Sequence, residues 1–359
     1  MSDVTQADGL SAARAGDRDA FQSLVAPYQR ELHVHCYRLL GTLPDAEDVV
    51  QETLVRAWQR LATFEGRGSF RAWLYRIATN ACLDLLDRPD RRSTVAGLAT
   101  HPLQAFASSD GERIELDPLP EAWLAGLDDC PEARYTLQES VTLAFLTALR
   151  VLPPRQRVVL LMRDVFGWSA GEVGELLDLT VPAVHSLLHR ARLTLERERA
   201  RGNPAEWRPA PADESMRALL DRYVRAWEDV DLDAFIALFR EEATATMPPD
   251  LVCLVGRSAI RDFAMANAFY PAGATPVDDP VRGRWRLLPT RANAHPALGY
   301  YRRASVADPY HFGALFIFAC STHPGGESGQ IASMTAFLRP ELAGRFNLPA
   351  SLPPAVDLR

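Results

Sequence analysis

Residues Pro44 to Leu86, PDAEDVVQETLVRAWQRLATFEGRGSFRAWLYRIATNACLDLL, decide how the rest of the chain is read. In the first half, Ala46, Val49, Val50, Leu54, Ala57 and Leu61 recur at the spacings of one buried helical stripe. On another face Asp45, Asp48 and Glu52 fall at i, i+3, i+7 beside Gln51. Such an acidic strip suits a basic partner, or a solvated helix start where carboxylates are favoured. In the second half, Ser69 is placed to cap a helix whose inward stripe is Phe70, Leu74, Ile77, Ala78, Ala81 and Leu85. Its outward face carries Trp73, Arg76 and Asn80 at i, i+3, i+7, which joins a stacking ring, a guanidinium and an amide able to pair with a base edge. The preceding loop, Phe64-Glu65-Gly66-Arg67-Gly68-Ser69, has two glycines that allow close backbone approach and an arginine for phosphate. A surface of that composition fits unpaired bases, where stacking supplies much of the binding.

The segments DAEDVVQE and SFRAWLYRIATN together resemble region 2 of the sigma-70 family of transcription initiation factors, in the compact extracytoplasmic-function (ECF) type. The resemblance implies that Asp45, Asp48, Gln51 and Glu52 dock on the coiled coil of the β′ subunit of core RNA polymerase. It further implies that Phe64, Gly66, Arg67, Ser69, Trp73, Arg76 and Asn80 melt and read the −10 element of promoter DNA.

Charge and composition agree with a cytoplasmic DNA-reading protein once the charge is apportioned. The chain has 359 residues, 47% hydrophobic and 24% charged, room for two or three domains with real cores. All 39 basic residues are arginine, and the formal net charge is −7. Residues 110–139 hold nine acids and two arginines, so this one segment accounts for the whole excess. The five cysteines form no C-x-x-C pair, and no signal peptide or long apolar span is present, which points to a reducing cytoplasm without a membrane anchor. His33-Val34-His35-Cys36 lies on one helix at spacings that do not converge on an ion, so no metal and no cofactor is expected.

Taken in order, residues 5–40 read as two helices, the second capped by Asp17, carrying Phe21, Leu24, Val25, Tyr28, Leu32 and Cys36 inward and ending at Gly41. The first domain, 1–89, closes at Arg88-Pro89, and the acidic, proline-marked stretch 90–131 reads as a linker. By the resemblance it would thread the polymerase cleft; from composition alone it is equally a solvated tether. Helical pattern resumes from Glu132 to Val151, and Pro153-Pro154 opens another helix. Ser169-Ala170-Gly171-Glu172 is a capping box for a short helix through Leu177. A turn at Asp178-Leu179-Thr180 leads into VPAVHSLLHRARLTL, with Val184, Leu187, Leu188, Ala191 and Leu195 inward. Thr180, His185, Ser186, His189, Arg190 and Arg192 are left for a major groove, the pattern of a helix-turn-helix. Within 132–200, LPPRQRVVLLMRDVFGWS resembles sigma region 4, which implies reading of the −35 element, although histidines stand where many relatives carry Arg or Lys.

After a Pro/Ala-rich tether, 201–212, the composition changes. Met216 to Trp227 and Leu232 to Arg240 read as amphipathic helices, with Asp231 starting the second; a third helix follows Gly256. RWRLL, the stretch around Ala297 to Tyr301, GALFIFAC and QIASMTAF read as strands. Element order and the run LDAFIALFREEATATMPP followed by GRSAI resemble a SnoaL-like α+β cone over 213–345, with 346–359 as a tail. Asp250, Trp285, His295, Tyr300 and His311 are the candidate pocket groups for a small ligand, without a matching catalytic motif. The expected architecture is multidomain: all-α region 2 and region 4 modules followed by an α+β SnoaL-like domain. The expected function is that of a non-enzymatic ECF sigma factor regulated by its last domain. The competing readings are a SnoaL-type isomerase or hydrolase fused to DNA-binding domains, and a helix-turn-helix repressor. The repressor reading leaves Pro44 to Leu86 unexplained.

Overall fold

A computed structural model describes residues 3–64, 69–88, 116–124, 136, 138–201, 206, 208–210, 213–248, 252–269, 283–305, 307–321 and 329–354. The chain divides into two compact units, one of Met1–Ala96, Ala122–Ser140 and Ala148–Arg197, the other of Gly97–Glu121, Val141–Thr147 and Glu198–Arg359.

The first unit is helical. It begins with α1 (Asp3–Arg14) and α2 (Arg18–Leu40). The Asp17 carboxylate accepts from the Asp19 and Ala20 amides at 2.9 and 3.0 Å, and Gly41, at φ 83°, ends α2. Then come α3 (Leu43–Arg60) and α4 (Phe70–Leu86), the latter capped by Ser69 Oγ, which accepts from the Ala72 amide at 3.0 Å. Two stripe positions differ from the expected periodicity. Thr53 is buried where Leu54 is half-exposed, because the Thr53 hydroxyl donates to Val49 O at 2.7 Å and so enters the core already satisfied. At the end of α4, Leu86 is buried and Leu85 is half-exposed. His35 is also buried, its Nε2 at 2.9 Å from Thr79 Oγ1, and burial pushes its pKa down to about 3. Among the described residues no cluster of His, Cys, Asp or Glu could hold a metal ion.

Of the helical stretch expected over Glu132 to Val151, α5 spans Leu143–Val151; α6 (Pro154–Leu160) follows and widens into a π turn over Leu161–Val165. The helix-turn-helix is α7 (Ala170–Leu177) and α8 (Val181–Arg201).

The second unit adds α9 (Glu214–Glu228), α10 (Leu232–Ala237), β1 (Phe239–Met247), β2 (Val252–Val255) and α11 (Arg257–Ala264). It continues with β3 (Trp285–Ala292), β4 (His295–Arg302), β5 (Tyr310–Ser321), β6 (Gln330–Phe337), α12 (Leu342–Arg345) and β7 (Ser351–Leu352). The helix expected over Leu232 to Arg240 is therefore shorter, since Phe239 and Arg240 already belong to β1. Strand order is β2-β1-β6-β5-β4-β3, with β7 on β5; β1 and β6 run parallel and the other pairs antiparallel. One sheet face packs Tyr223, Trp227 and Phe235 of the helices against Trp285, Phe316 and Phe318. The opposite face packs Ala297, Tyr301, Leu315, Ile317 and Phe337 under Leu342 and Phe346.

The β3–β4 turn also receives pieces of the linker and tether. The β3–β4 hairpin turns through Asn293 and Ala294, at φ 52° and 60°, the left-handed pair that matches strand twist. Asn293 is 0% exposed. It exchanges two bonds with Leu119, its N–H donating to Leu119 O at 2.9 Å and its Oδ1 accepting from Leu119 N at 2.8 Å. Its Nδ2 donates to Val141 O at 2.7 Å. Pro120 bridges to Ala292, and Asp117 pairs with Arg339. From the tether, Ala210 N donates to Ala294 O at 2.9 Å and Arg291 Nη2 donates to Ala210 O at 2.8 Å. The described parts of the expected linker and tether are thus docked rather than free; the rest of 90–131 lies largely outside the described residues.

Glu206 of the tether is 6% exposed, with a hydrogen bond to Ser333 and one carboxyl oxygen that finds no donor. Burial raises its pKa to about 7. The folded chain then holds a proton that the unfolded carboxyl has released, so stability falls as pH rises from the ordinary carboxylate range through about 7. Glu206→Gln, which keeps the shape without the charge, is expected to be more stable than wild type at pH 8, by on the order of a few kcal/mol, with a higher thermal midpoint, and to match it at pH 4. Equal midpoints at both pH values would overturn the assignment.

Candidate nucleic-acid interface

Two faces of the α3–α4 pair are available. On α3, Asp48, Gln51 and Glu52 are exposed, while Asp45 accepts from the Thr42 hydroxyl at the helix start. Glu52 pairs with Arg56 at 2.7 Å, and Arg56 reaches Asp84 at 3.4 Å. Both pairs are largely exposed and weak, so a stronger cationic partner can displace them. Val55, 51% exposed, stands in the same strip. Sequence reasoning did not single it out; its signal was an apolar residue one turn beyond Gln51 and Glu52 on the polar face.

On α4, Arg76 and Asn80 are exposed and Trp73 half-buried, as the i, i+3, i+7 spacing requires. Phe64 differs from expectation: at 7% exposed it lies beneath the surface, 5.3 Å from the Trp73 ring and 5.5 Å from Phe70, with its carbonyl held by Arg14. It supports the platform on which Trp73 rests. Gly66 and Arg67 lie outside the described residues. Arg71 turns away to pair with Glu31, at 2.9 and 2.7 Å, and is committed to the fold.

In the helix-turn-helix, Ser169 and Glu172 form the reciprocal capping box and Asp178 turns the chain at φ 54°. Gly174 is where the two helices meet, for a Cβ there would lie 2.7 Å from Leu179 O. Val184, Leu188 and Ala191 are buried, whereas Leu187 and Leu195 are half-exposed. His185, Ser186, His189 and Arg190 point outward, Arg190 donating to Ser186 Oγ at 3.0 Å. Thr180 sits at the start of α8, its Oγ1 accepting from Ala183 N at 3.4 Å. Arg192 is held by Asp164 through two bonds of 2.9 and 2.6 Å, so it would have to exchange a carboxylate for a DNA acceptor.

Among the described residues, the groups considered for a pocket in the second unit do not converge. The Trp285 and Tyr300 rings lie tilted and 5.3 Å apart within the aromatic core of one sheet face. His295 is buried on the other face, its Nε2 3.3 Å from Glu206 O, with burial lowering its pKa to about 4. His311 is exposed, in register with Arg302, and Asp250 lies outside the described residues.

An acidic helix face, an exposed face of aromatic, guanidinium and amide groups, and a helix-turn-helix in one helical unit fit a DNA-reading transcription factor of two-module type. Comparison with known proteins specifies the class: residues 24–92 match the family model described as Sigma-70 region 2, and 142–195 that described as Sigma-70, region 4. The ECF RNA polymerase sigma factor SigG of Mycobacterium tuberculosis is 38% identical over 349 residues, 94% of this chain and 86% of the relative. SigW of Bacillus subtilis is 29% identical over 191 residues, 53% of this chain and 94% of the relative. The chain belongs to the ECF sigma factors of the sigma-70 family. The crystal structure of SigJ of Mycobacterium tuberculosis shares the fold, with a TM-score of 0.53 at 21% identity over 90% of this chain and 100% of the other. No described helix is long and apolar enough to cross a membrane.

The packing at Gly174 is testable. Gly174→Ala drives a methyl into the Leu179 carbonyl and is expected to cost about 1–3 kcal/mol of stability in denaturant titration, with weakened binding to −35 duplex DNA. Unchanged stability would mean that the turn can widen.

Proposed function

We propose that this ECF sigma factor docks on core RNA polymerase through the exposed strip Asp48, Gln51 and Glu52, with Asp45 at its end and Val55 as an apolar contact, against the β′ coiled coil. The −10 element is read as unpaired bases by Trp73, Arg76 and Asn80, with Ser69, Gly66 and Arg67 of the preceding loop. The −35 element is read in duplex form by His185, Ser186, His189 and Arg190, with Thr180 and Arg192 beside them. The observation that carries this reading is the pairing of an exposed acidic strip on α3 with an exposed Trp-Arg-Asn face on the adjacent α4. A repressor has no use for the first, and duplex recognition has no use for the second. The work is done in the cytoplasm, where the polymerase acts.

The C-terminal SnoaL-like unit acts on this machinery and not on a substrate. Trp285 and Tyr300 are spent on the core, and His295 faces the other way, so no acid–base pair assembles from the candidates among the described residues. Its grip on Leu119, Val141 and Ala210 supports a regulatory role, because those residues belong to the connections that lead into and out of region 4.

Asp48→Arg with Glu52→Arg is expected to abolish co-purification with core polymerase while helicity is retained, since like charges would then face a basic partner. Undiminished binding by the folded double variant would remove the docking assignment. Asn293→Ala is expected to change run-off transcription across promoters of differing spacer length, because it strips Leu119 N and Val141 O of their partners at about 1–3 kcal/mol each. Wild-type output at every spacer length would exclude a regulatory role for this grip.

A further inference from the structure

Of the two arginines on α8 assigned to DNA, one is already answered by a carboxylate of its own helix-turn-helix module. Arg190 donates to a neutral hydroxyl, Ser186 Oγ, and keeps its charge for DNA. Arg192 is the other, its Nε and Nη2 donating to the two carboxylate oxygens of Asp164 at 2.9 and 2.6 Å. Glu196, exposed one turn further along α8, places a second carboxylate in the field of Arg192.

Asp164 meets α8 because α6 does not end as an α-helix. Over Leu161–Val165 it widens into a π turn, closed by Phe166 N donating to Leu161 O at 3.0 Å. Each residue of an α-helix turns the chain by about 100°, so one extra residue in a turn re-aims the side chains around it. Leu161 and Met162 stay buried while Asp164 reaches Arg192. Turns of this kind are frequent at functional sites. The pair is not part of a core, for the side chains of Arg192 and Asp164 are 53% and 31% exposed.

Position along the helix decides what Arg192 meets on DNA. It lies eleven residues past Val181, about 16 Å along α8 at the α-helical rise. Residues near the start of a recognition helix reach base edges, and here those are His185, Ser186 and His189. Arg192 is left beside the phosphate backbone. Sequence-independent binding depends almost wholly on how many phosphates are neutralised. A guanidinium already paired with a carboxylate neutralises none while DNA is only loosely held, and the carboxylate itself repels the backbone. Once base contacts seat α8, a phosphate at fixed distance can take the place of Asp164, because an exposed ion pair is weak.

We propose that Asp164 is a specificity-determining residue of the −35 reader: it withholds Arg192 from the phosphate backbone until the side chains at the start of α8 have engaged their bases, so that sequence-independent binding is suppressed more than site-specific binding. This rests on the assignment of α8 to the −35 element. Discrimination is gained by weakening the competing complex, without any further base contact.

The test uses the full chain and two labelled duplexes, one selected by the wild-type chain from a random pool and one with that sequence scrambled, with affinity followed against salt. Asp164→Asn keeps the shape and removes the charge. It is expected to steepen the salt slope on the scrambled duplex by about 0.9, the signature of one added phosphate contact, and to raise affinity there roughly five-fold at about 0.15 M salt, with the slope on the selected duplex unchanged. Arg192→Ala should flatten the slope on the selected duplex by the same amount and leave the scrambled one as it is. Asp164→Glu, which restores a carboxylate, should bring the scrambled slope back toward wild type. A purely structural role for Asp164 would alter affinity on both duplexes together and move neither slope. Equal steepening on both duplexes, or steepening on neither, would overturn the proposal. His185→Ala with Ser186→Ala judges the underlying reading separately. If that double variant still prefers the selected duplex by the wild-type ratio, the −35 assignment of α8 falls; if the preference collapses while Asp164→Asn moves no slope, the assignment stands and the role of Asp164 falls.

Discussion

The first unit depends on a buried charge that has no carboxylate. Arg157 is enclosed among backbone carbonyls of α2 and of its own module, and burial, followed by the nearby Arg150, pulls its pKa down to about 9. A guanidinium removed from water is costly unless every donor is used. Carbonyls at the end of α2 are the one group of acceptors that the helix itself cannot satisfy. Each deficit answers the other, and a lysine could not replace the arginine, because a point charge lacks the planar fork that reaches several carbonyls at once.

The second unit is organised by a different economy. Both faces of its sheet are covered, one by α9, α10 and an aromatic core, the other by α12 and by short stretches drawn from the linker, the start of α5 and the tether. These stretches contribute little apolar surface and are held through backbone groups, with Asn293 serving as donor and acceptor at once. Ala294, next to it at φ 60°, adopts a conformation that costs an ordinary residue about 1–2 kcal/mol. The bonds gathered at the turn offset that strain. Glu206 is the weak point of the same face, a carboxyl whose pKa burial raises to about 7 and whose second oxygen has no donor.

Much of the surface proposed to meet promoter DNA was legible from spacing, because helix periodicity and capping chemistry are local. Trp73, Arg76 and Asn80, the Ser69 cap and the Ser169–Glu172 box all stand where the sequence predicts them. What was not legible depends on distant partners. Strand β1 hid behind Leu232, Phe235, Ile236 and Phe239, whose helical spacing runs on past Ala237; the strand exists because β6, some ninety residues later, pairs with it in parallel. Arg150 and Arg157 carry no signal in the sequence that sets them apart from other arginines, and only their bonds to Leu40 O and Leu39 O show that they cap a helix. Asn293 sits between two strands and reads as an ordinary turn residue, with nothing nearby to announce Leu119 or Val141.

The hairpin at Asn293 also orders events in time. Regions 2 and 4, and the stretches around Leu119 and Val141, leave the ribosome long before the β3–β4 turn that holds them, and domains fold largely as they emerge. For the interval in which residues 196–292 are being made, a nascent chain can hold both DNA-reading modules folded while its linker is still ungripped. Such a chain differs from the finished protein in how its modules are tethered, although not in any residue that touches DNA. A sigma factor built this way completes its C-terminal unit last, and messages truncated or stalled before the hairpin would yield a protein with the same two DNA-reading modules and an ungripped linker.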